Sequence, residues 1–206
     1  QSAPQMAQEY GGLYPNNQYQ ALVDQVGNQL VNNSIAKETP YKYEFHLLAD
    51  NKTINAFALP GGQIFITYAL FSKLENEDQL AGVLGHEVGH IVKRHSVKQV
   101  EKQLAFTLLT LILTKGQGFI LADATMQALM AGYSRSDERE ADEQGFTLTN
   151  KAGFNPYSML ITVSKLQDLA DANGNPGFGL FSTHPEPEVR IERVNKSLAK
   201  MNITPT

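Results

Sequence analysis

The sequence of 206 residues contains no cysteine and no tryptophan. Without cysteine, the chain cannot form disulfide frameworks, thiolate zinc sites or a cysteine nucleophile. The absence of cysteine is compatible with both an oxidising and a reducing compartment. Positive charge is also scarce, since the formal net charge is −4 at pH 7. A general nucleic-acid binder needs a net basic face, so the charge argues against nucleic acid as a partner.

Long hydrophobic runs are absent as well. The longest, at 104–113, holds ten residues, whereas a bilayer-spanning helix needs about 20. We therefore expect a buried helix there, with contact to a membrane surface as the lesser alternative. The chain begins at Gln1, and residues 1–16 are polar without an apolar core. This pattern predicts a processed or truncated product that retains no signal peptide.

The length and the composition, 42% hydrophobic and 18% charged, predict one folded domain over 1–206. Residues 1–16 are expected to form a flexible N-terminal segment of this domain. Three short strands are predicted at 41–50, 53–60 and 63–68, where aromatic and β-branched residues alternate between turn residues. The tight turns between these strands favour a largely antiparallel sheet.

The rest of the chain is predicted to be helical. One helix begins near Asn76, whose side chain can cap it, and Glu77 and Asp78 favour its first turn. The predicted fold class is therefore α+β, mostly α-helical, with a small sheet of three to four strands. The other helices are predicted at 17–34, 98–114, 120–132, 136–149, 156–171 and 187–201.

The chemistry of the chain is concentrated in the segment GHEVGH at 85–90. Two histidines four residues apart on a helix lie about 40° apart around its axis and about 6 Å along it. His86 and His90 can therefore reach one zinc ion at about 2.0–2.1 Å. Glu87 can accept a proton from water at the metal. With only 5 histidines in the chain, a chance match to this pattern is rare.

Two protein ligands are too few for zinc, so a third must come from elsewhere. The pattern H-E-x-x-H-x-x-G-x-x-H would place its glycine at Lys93 and its third histidine at Ser96, which excludes that class. The segment YSRSDEREAD offers a carboxylate instead. Glu138 and Asp142 share a helix face, so Glu138 can bind the metal while Asp142 orients a ligand imidazole. Glu140 points away from that face.

Through these segments the sequence resembles the bacterial zinc peptidases of the HtpX and BepA type, relatives of the CAAX prenyl proteases. The matching stretches are LAGVLGHEVGHIVKRH, YSRSDEREAD, NAFALPGGQIFIT and THP…R. The resemblance implies a gluzincin fold, one Zn²⁺ on His86, His90 and Glu138, and Glu87 as the catalytic residue. The chain has no membrane-spanning helix, so it is closer to the soluble, periplasmic or lipoprotein branch.

The stretch INAFALPGG at 54–62 carries no titratable group, so it is not expected to perform chemistry. An edge strand beside the metal can bind a peptide through backbone hydrogen bonds. A plain core strand that ends in a turn is the alternative. The family resemblance favours a substrate-binding edge at Asn55 and Ala56.

His184 lies in a loop rich in glycine and proline, and three roles are open for it. It can donate a hydrogen bond to the oxyanion, occupy the fourth zinc position and close the site, or cap a helix near Pro187. We expect the oxyanion role to dominate. Arg190 is expected to help order the site. His46 and His95 are assigned no role.

The function predicted from these residues is zinc-dependent hydrolysis of peptide bonds by an endopeptidase. The alternative is a metal-bearing chaperone or scaffold with latent or no proteolytic activity, against which the intact Glu87 counts. The resemblance implies protein or peptide substrates, quality control of the bacterial cell envelope, and a periplasmic or other extracytoplasmic location. Peripheral contact with a membrane or an envelope complex fits the same setting.

Overall fold

The computed structural model of the chain describes residues 2–113 and 132–172, together with His184 and a few positions near the C-terminus. The C-terminal positions are 192, 195, 196 and 198–200. The helix predicted at 120–132 lies almost entirely outside the described residues. Most of the helix predicted at 187–201 lies outside them too, as does Arg190.

The described residues form helices around one small sheet. This confirms the prediction of a mostly helical α+β fold. In chain order the elements are α1 Ser2–Glu9, α2 Asn17–Asn32, a 3₁₀ helix Ile35–Glu38, β1 Glu44–Leu48, β2 Ala56–Leu59, β3 Gln63–Thr67, α3 Tyr68–Phe71, α4 Glu77–Val92, α5 His95–Leu113, α6 Arg135–Lys151 and α7 Tyr157–Ala172.

The sheet has the strand order β1-β3-β2, with β3 in the centre. β2 pairs with β3 in antiparallel fashion, through a turn in which Gly61 and Gly62 have φ of +95° and +104°. Glycine suits this turn because L side chains rarely adopt such angles. β1, however, runs parallel to β3. The sheet is therefore mixed, and the prediction of a largely antiparallel sheet was wrong for β1.

The connection from β1 to β2 explains why β1 is parallel to β3. In this connection, 49–55, the Asp50 carbonyl accepts a hydrogen bond from the Ala69 N–H at 2.9 Å. The Thr67 hydroxyl donates to the Thr53 carbonyl at 2.6 Å. The chain leaving β1 thus crosses the end of β3 instead of folding back beside β1. It reaches the far side of β3, where β2 begins.

Residues Ser2–Glu9 form helix α1, and the flexibility expected for 1–16 stays a prediction. Met6 of α1 is fully buried in a small apolar cluster against the sheet. Ala3, Ala7 and Tyr10 pack against the same cluster, so several side chains attach this segment to the sheet. The cluster partners of Met6 are Leu48, Phe57, Leu59 and Phe65.

Helix α4 lies at the centre of the fold, and every residue from Gln79 to Ile91 is buried. Its N-terminus is capped as predicted, because the Asn76 side chain accepts a hydrogen bond from the Gln79 N–H at 2.9 Å. The main apolar core surrounds α4 with residues of α2, the sheet, α6 and α7. The central helix is therefore the rigid element on which a site can be built.

Helix α5 differs from the buried helix predicted at 104–113. Its first residues, His95 and Ser96, are buried, but most of the helix beyond them is exposed or half-buried among the described residues. Its large apolar side chains therefore lie on the described surface, with Phe106 61% and Ile112 74% exposed. None of the described helices has both the length and the apolar character needed to cross a membrane.

Candidate metal centre

The two histidines of the GHEVGH segment meet on one face of α4. Their Nε2 atoms lie 3.0 Å apart, as the spacing of four residues on a helix predicts. His86 is 3% exposed and His90 is fully buried. The pair therefore presents two imidazole nitrogens to one point inside the protein.

Glu138 of α6 faces this pair. Its Oε2 atom lies 3.5 Å from His86 Nε2, and its Oε1 atom lies 3.4 Å from His90 Nε2. Helix α6 comes this close because Gly89 of α4 leaves no side chain against it: a Cβ at that position would lie 2.8 Å from the Ala141 carbonyl oxygen. The packing of the two helices thus brings the predicted carboxylate to the predicted histidines.

His184 completes the group, and it reaches the site from a distant part of the sequence. Its Nδ1 atom lies 3.2 Å from His86 Nε2 and 2.9 Å from Glu138 Oε1. Its Nε2 atom lies 3.4 Å from Glu87 Oε1. One ligand atom from each of His86, His90, Glu138 and His184 lies within 4.8 Å of the other three. His184 is therefore positioned among the donors.

The donor set fits a zinc ion. Tetrahedral zinc with bonds of about 2.0–2.2 Å holds its ligand atoms about 3.3–3.5 Å apart. The separations among the imidazole nitrogens and the carboxylate oxygens run from 2.9 to 3.5 Å. Imidazole nitrogens and carboxylate oxygens are donors that zinc sites in proteins use. The group can accordingly hold one metal ion.

Each histidine of α4 has a partner at its other ring nitrogen. Asp142 Oδ1 lies 2.9 Å from His86 Nδ1, in the arrangement predicted for an orienting carboxylate. His95 Nδ1 lies 2.9 Å from His90 Nδ1. Sequence reasoning missed the role of His95. The residue lies three positions after the end of α4, and this short distance along the chain could have indicated a contact with the last turn of the helix.

Burial favours the neutral form of His90 and of His95. It lowers the pKa of His90 well below its usual value, and the nearby Glu138 opposes this shift only in part. Burial also lowers the pKa of His95. A buried cation would lose its hydration, so the uncharged ring is favoured. Neutral imidazoles keep the lone pair that a metal requires.

Tyr133 packs on this site from one side. Its ring stacks on His90 with the centroids 3.8 Å apart and the planes at 20°. Its hydroxyl lies 2.8 Å from Ser96 Oγ. Burial and the charge of Glu87 raise the pKa of Tyr133, so the phenol stays protonated. Tyr133 therefore contacts His90, one of the histidines of the candidate donor group.

The other predicted residues lie in different places. β2, which begins at Ala56, is an edge strand of the sheet, since β3 is its one strand neighbour among the described residues. Asn55 directly precedes β2 and is buried. His46 lies on β1, where its Nε2 atom is 2.7 Å from Gln63 Oε1, and it takes no part in the donor group. The described residues do not include Arg190.

A central helix with an HExxH segment, a carboxylate from a second helix and a small sheet beside them define a gluzincin-like metallopeptidase domain. The comparison with known families agrees: residues 17–198 match the profile of Peptidase family M48. The chain belongs to peptidase family M48, which confirms the predicted family and its zinc dependence.

Several characterised proteins are similar to the chain. The beta-barrel assembly-enhancing protease of Yersinia pestis is 32% identical over 198 residues, which cover 89% of this chain and 40% of that protein. The protein of the same name from Escherichia coli K12 is 33% identical over 183 residues, 82% of this chain and 37% of the relative. The mitochondrial metalloendopeptidase OMA1 of Saccharomyces cerevisiae is 32% identical over 170 residues, 78% and 48% respectively. The chain thus spans less than half the length of these relatives.

Proposed function

We propose that the chain is the catalytic domain of a zinc metalloendopeptidase, with His86, His90 and Glu138 as the protein ligands. The convergence of these three donors on α4 and α6 carries the proposal. Burial of all three excludes bulk water, which strengthens every electrostatic interaction in the site. A site of this kind leaves one coordination position for water or substrate.

Glu87 is proposed as the residue that moves the proton. A bound zinc ion lowers the pKa of water at the site to about 7 and polarises the scissile carbonyl. The Glu87 carboxylate accepts the proton of the attacking water and later delivers it to the leaving amine. Glu87 directly follows His86 on α4 and is 1% exposed. Its neighbours hold it beside the donor group.

The substrate is proposed to pair with β2, with Ala56 as the pairing residue. Both backbone groups of Asn55 are directed at Thr67, since its N–H donates to Thr67 Oγ1 and its carbonyl accepts from the Thr67 N–H. Successive residues of a strand direct their backbone groups to opposite sides. The N–H and the carbonyl of Ala56 therefore point away from β3, toward the edge of the sheet. Ala58 also faces the edge, but its carbonyl accepts from Ser96 Oγ at 3.3 Å.

The position of His184 favours the second role considered for it over the oxyanion role. Its Nδ1 atom lies within the donor group, 2.9 Å from Glu138 Oε1. A histidine there occupies the position that water needs, so the geometry supports a closed, latent form of the site. This observation also supports the alternative of a metal-bearing scaffold with latent proteolytic activity. His184 is therefore proposed as a latch whose removal opens the site.

The cellular setting is a proposal that rests on the relatives. Two of them are named beta-barrel assembly-enhancing proteases, which supports protein substrates in the bacterial cell envelope. We accordingly propose an extracytoplasmic domain that degrades envelope proteins during quality control.

A test of the enzyme assignment compares the parent protein with Glu87→Gln. The amide has nearly the same shape but accepts no proton, so turnover should fall about 10²–10⁴-fold while bound zinc stays at one per chain. Peptide cleavage and metal content would be measured together, with a chelator-treated parent as reference. Activity of Glu87→Gln within tenfold of the parent would show that another residue is the base.

A test of the latch compares His184→Ala with the parent under saturating zinc. Removal of the imidazole frees a coordination position, so basal cleavage of an unstructured protein such as casein should rise severalfold. A fall in kcat at unchanged zinc content would instead support the oxyanion role. Identical kinetics of the two proteins would exclude both roles.

A further inference from the structure

The two histidines of α4 have different partners at the ring nitrogen that faces away from the donor group. His86 Nδ1 has the carboxylate of Asp142 at 2.9 Å, whereas His90 Nδ1 has a second imidazole, His95, at the same distance. We propose that His95 is the positioning residue of His90, which fixes its tautomer and its ring orientation for zinc. This inference rests on the proposed function, because it assigns His90 as a ligand.

The surroundings of His95 determine which of its nitrogens carries the proton. The residue is 1% exposed. Its Nε2 atom faces two carboxylates of α6, at 3.5 Å from Glu140 Oε2 and 3.7 Å from Asp137 Oδ1. These distances are too long for good hydrogen bonds, but the two negative charges favour the proton on the nitrogen that faces them, Nε2. The Nδ1 atom of a neutral His95 is then an acceptor.

The acceptor nitrogen of His95 determines the tautomer of His90. A neutral imidazole has one donor nitrogen and one acceptor nitrogen. If His95 Nδ1 accepts, the proton of His90 lies on Nδ1, and its Nε2 lone pair is directed at the donor group. The tautomer of His90 is thus set in two steps by the acidic pair of Asp137 and Glu140. In most metal sites a carboxylate, a carbonyl or water contacts the ligand histidine directly.

The backbone between α4 and α5 places His95 behind His90. α4 ends at Val92, and Arg94 has a φ of +61°, the left-handed conformation. Non-glycine residues rarely adopt this conformation, because it brings Cβ close to the following carbonyl oxygen. The Arg94 carbonyl accepts from the Lys98 N–H at 3.0 Å, so α5 begins immediately. The sharp reversal returns the His95 side chain over the last turn of α4.

The His90 ring has contacts on its face, from Tyr133, as well as on its edge, from His95. Tyr133 stacks on the ring, and the Tyr133 hydroxyl contacts Ser96, the residue after His95. The start of α5 therefore controls two sides of His90. An apolar side chain at 95 would fill the same space but would leave the His90 N–H buried without an acceptor. This difference separates a positioning role from a packing role.

The experiment compares His95→Asn and His95→Leu with the parent. The Asn Oδ1 atom stands where His95 Nδ1 does and accepts the same hydrogen bond, whereas Leu accepts none. Zinc affinity, measured by competition with a chromophoric chelator, should fall about 10–100-fold in His95→Leu and stay within about threefold of the parent in His95→Asn. His46→Leu, which removes a histidine outside the site, is the matched control and should bind zinc like the parent.

A second measurement needs no variant. Nitrogen-15 NMR of the zinc-loaded parent should show the proton of His95 on Nε2, while a proton on Nδ1 would overturn the inference. It is also overturned if His95→Leu binds zinc as tightly as the parent, or if His95→Asn loses as much affinity as His95→Leu. A parent that binds no zinc would overturn the proposed function instead, so the two failures are distinguishable. If His95→Leu does not fold, the NMR result decides.

Discussion

Helices α4 and α6 both carry donors of the candidate metal centre, but their surroundings differ. α4 is enclosed on all sides, and every residue from Gln79 to Ile91 is buried. α6 exposes its outer face at residues such as Arg139 and Glu143, and it buries Glu138 and Asp142 on its inner face. The donors of α4 are therefore held by many neighbours. The donor of α6 depends on how closely one face approaches α4.

The contact between the two helices depends on small residues. A Cβ added to Gly89 of α4 would lie 2.8 Å from the Ala141 carbonyl oxygen, and one added to Gly145 of α6 would lie 3.1 Å from His86 Cα. Real Cβ atoms essentially never show the distance at Gly89, and few show the distance at Gly145, so the observed approach depends on small residues at both positions. The same approach sets the distances of 3.4 and 3.5 Å between Glu138 and the two histidines.

The largest effect is expected from removal of the one donor of α6. Glu138→Ala removes the only carboxylate of the donor group and leaves histidines alone to hold the metal, so zinc affinity should fall by more than about 100-fold. Isothermal titration with zinc measures the loss. Glu143→Ala removes an exposed carboxylate one turn later on the same helix, and it should bind zinc like the parent. Stoichiometric tight binding by Glu138→Ala would remove Glu138 from the ligand set.

How far the site could be predicted from sequence also differs between the helices. On α4 the spacing of His86 and His90 alone placed both side chains on one face. On α6 the pair Glu138 and Asp142 was predicted from the same spacing, once a third ligand was required. Glu140 was predicted to point away from the metal, and it lies 3.5 Å from His95. Spacing within one helix cannot show what a neighbouring helix places beside it.

The features that sequence reasoning missed all depend on contacts between distant segments. The parallel pairing of β1 with β3 depends on the crossing near Thr67, which no local pattern records. His95 acquires a partner because Arg94 adopts a left-handed conformation, which a single sequence does not reveal for an arginine. The apolar residues of α5 were expected in the core, but hydropathy does not show which side of a helix the rest of the chain covers.

A smaller effect is expected when a side chain forces the two helices apart. Gly89→Ala gains up to about 1 kcal/mol of helix propensity, but its methyl group meets the Ala141 carbonyl. Overpacking of this kind costs about 1–3 kcal/mol, so we expect a net loss in the free energy of unfolding and weaker zinc binding. Urea denaturation and zinc titration measure both effects. A variant more stable than the parent, with equal zinc affinity, would show that the close approach is not required.

The smallest effects are expected from removal of the two N-caps. Asn76 caps α4 by accepting from the Gln79 N–H at 2.9 Å. Ser134 caps α6 in a capping box, where its Oγ accepts from the Asp137 N–H at 3.2 Å. Either residue changed to Ala should lower the free energy of unfolding of the metal-free protein by about 1 kcal/mol. Stability alone would not distinguish the two helices.

Zinc affinity should distinguish them. A lost cap frays mainly the first helical turn. On α6 that turn holds Glu138, whose N–H donates to the Ser134 carbonyl at 3.0 Å. On α4 the first proposed ligand, His86, lies about 15 Å along the axis from the cap. Ser134→Ala should therefore weaken zinc binding severalfold, and Asn76→Ala should leave it unchanged. Ser136→Ala, at an exposed position of α6, is the control. Equal loss of zinc affinity in both cap variants would mean that the enclosed helix is no better held than the exposed one.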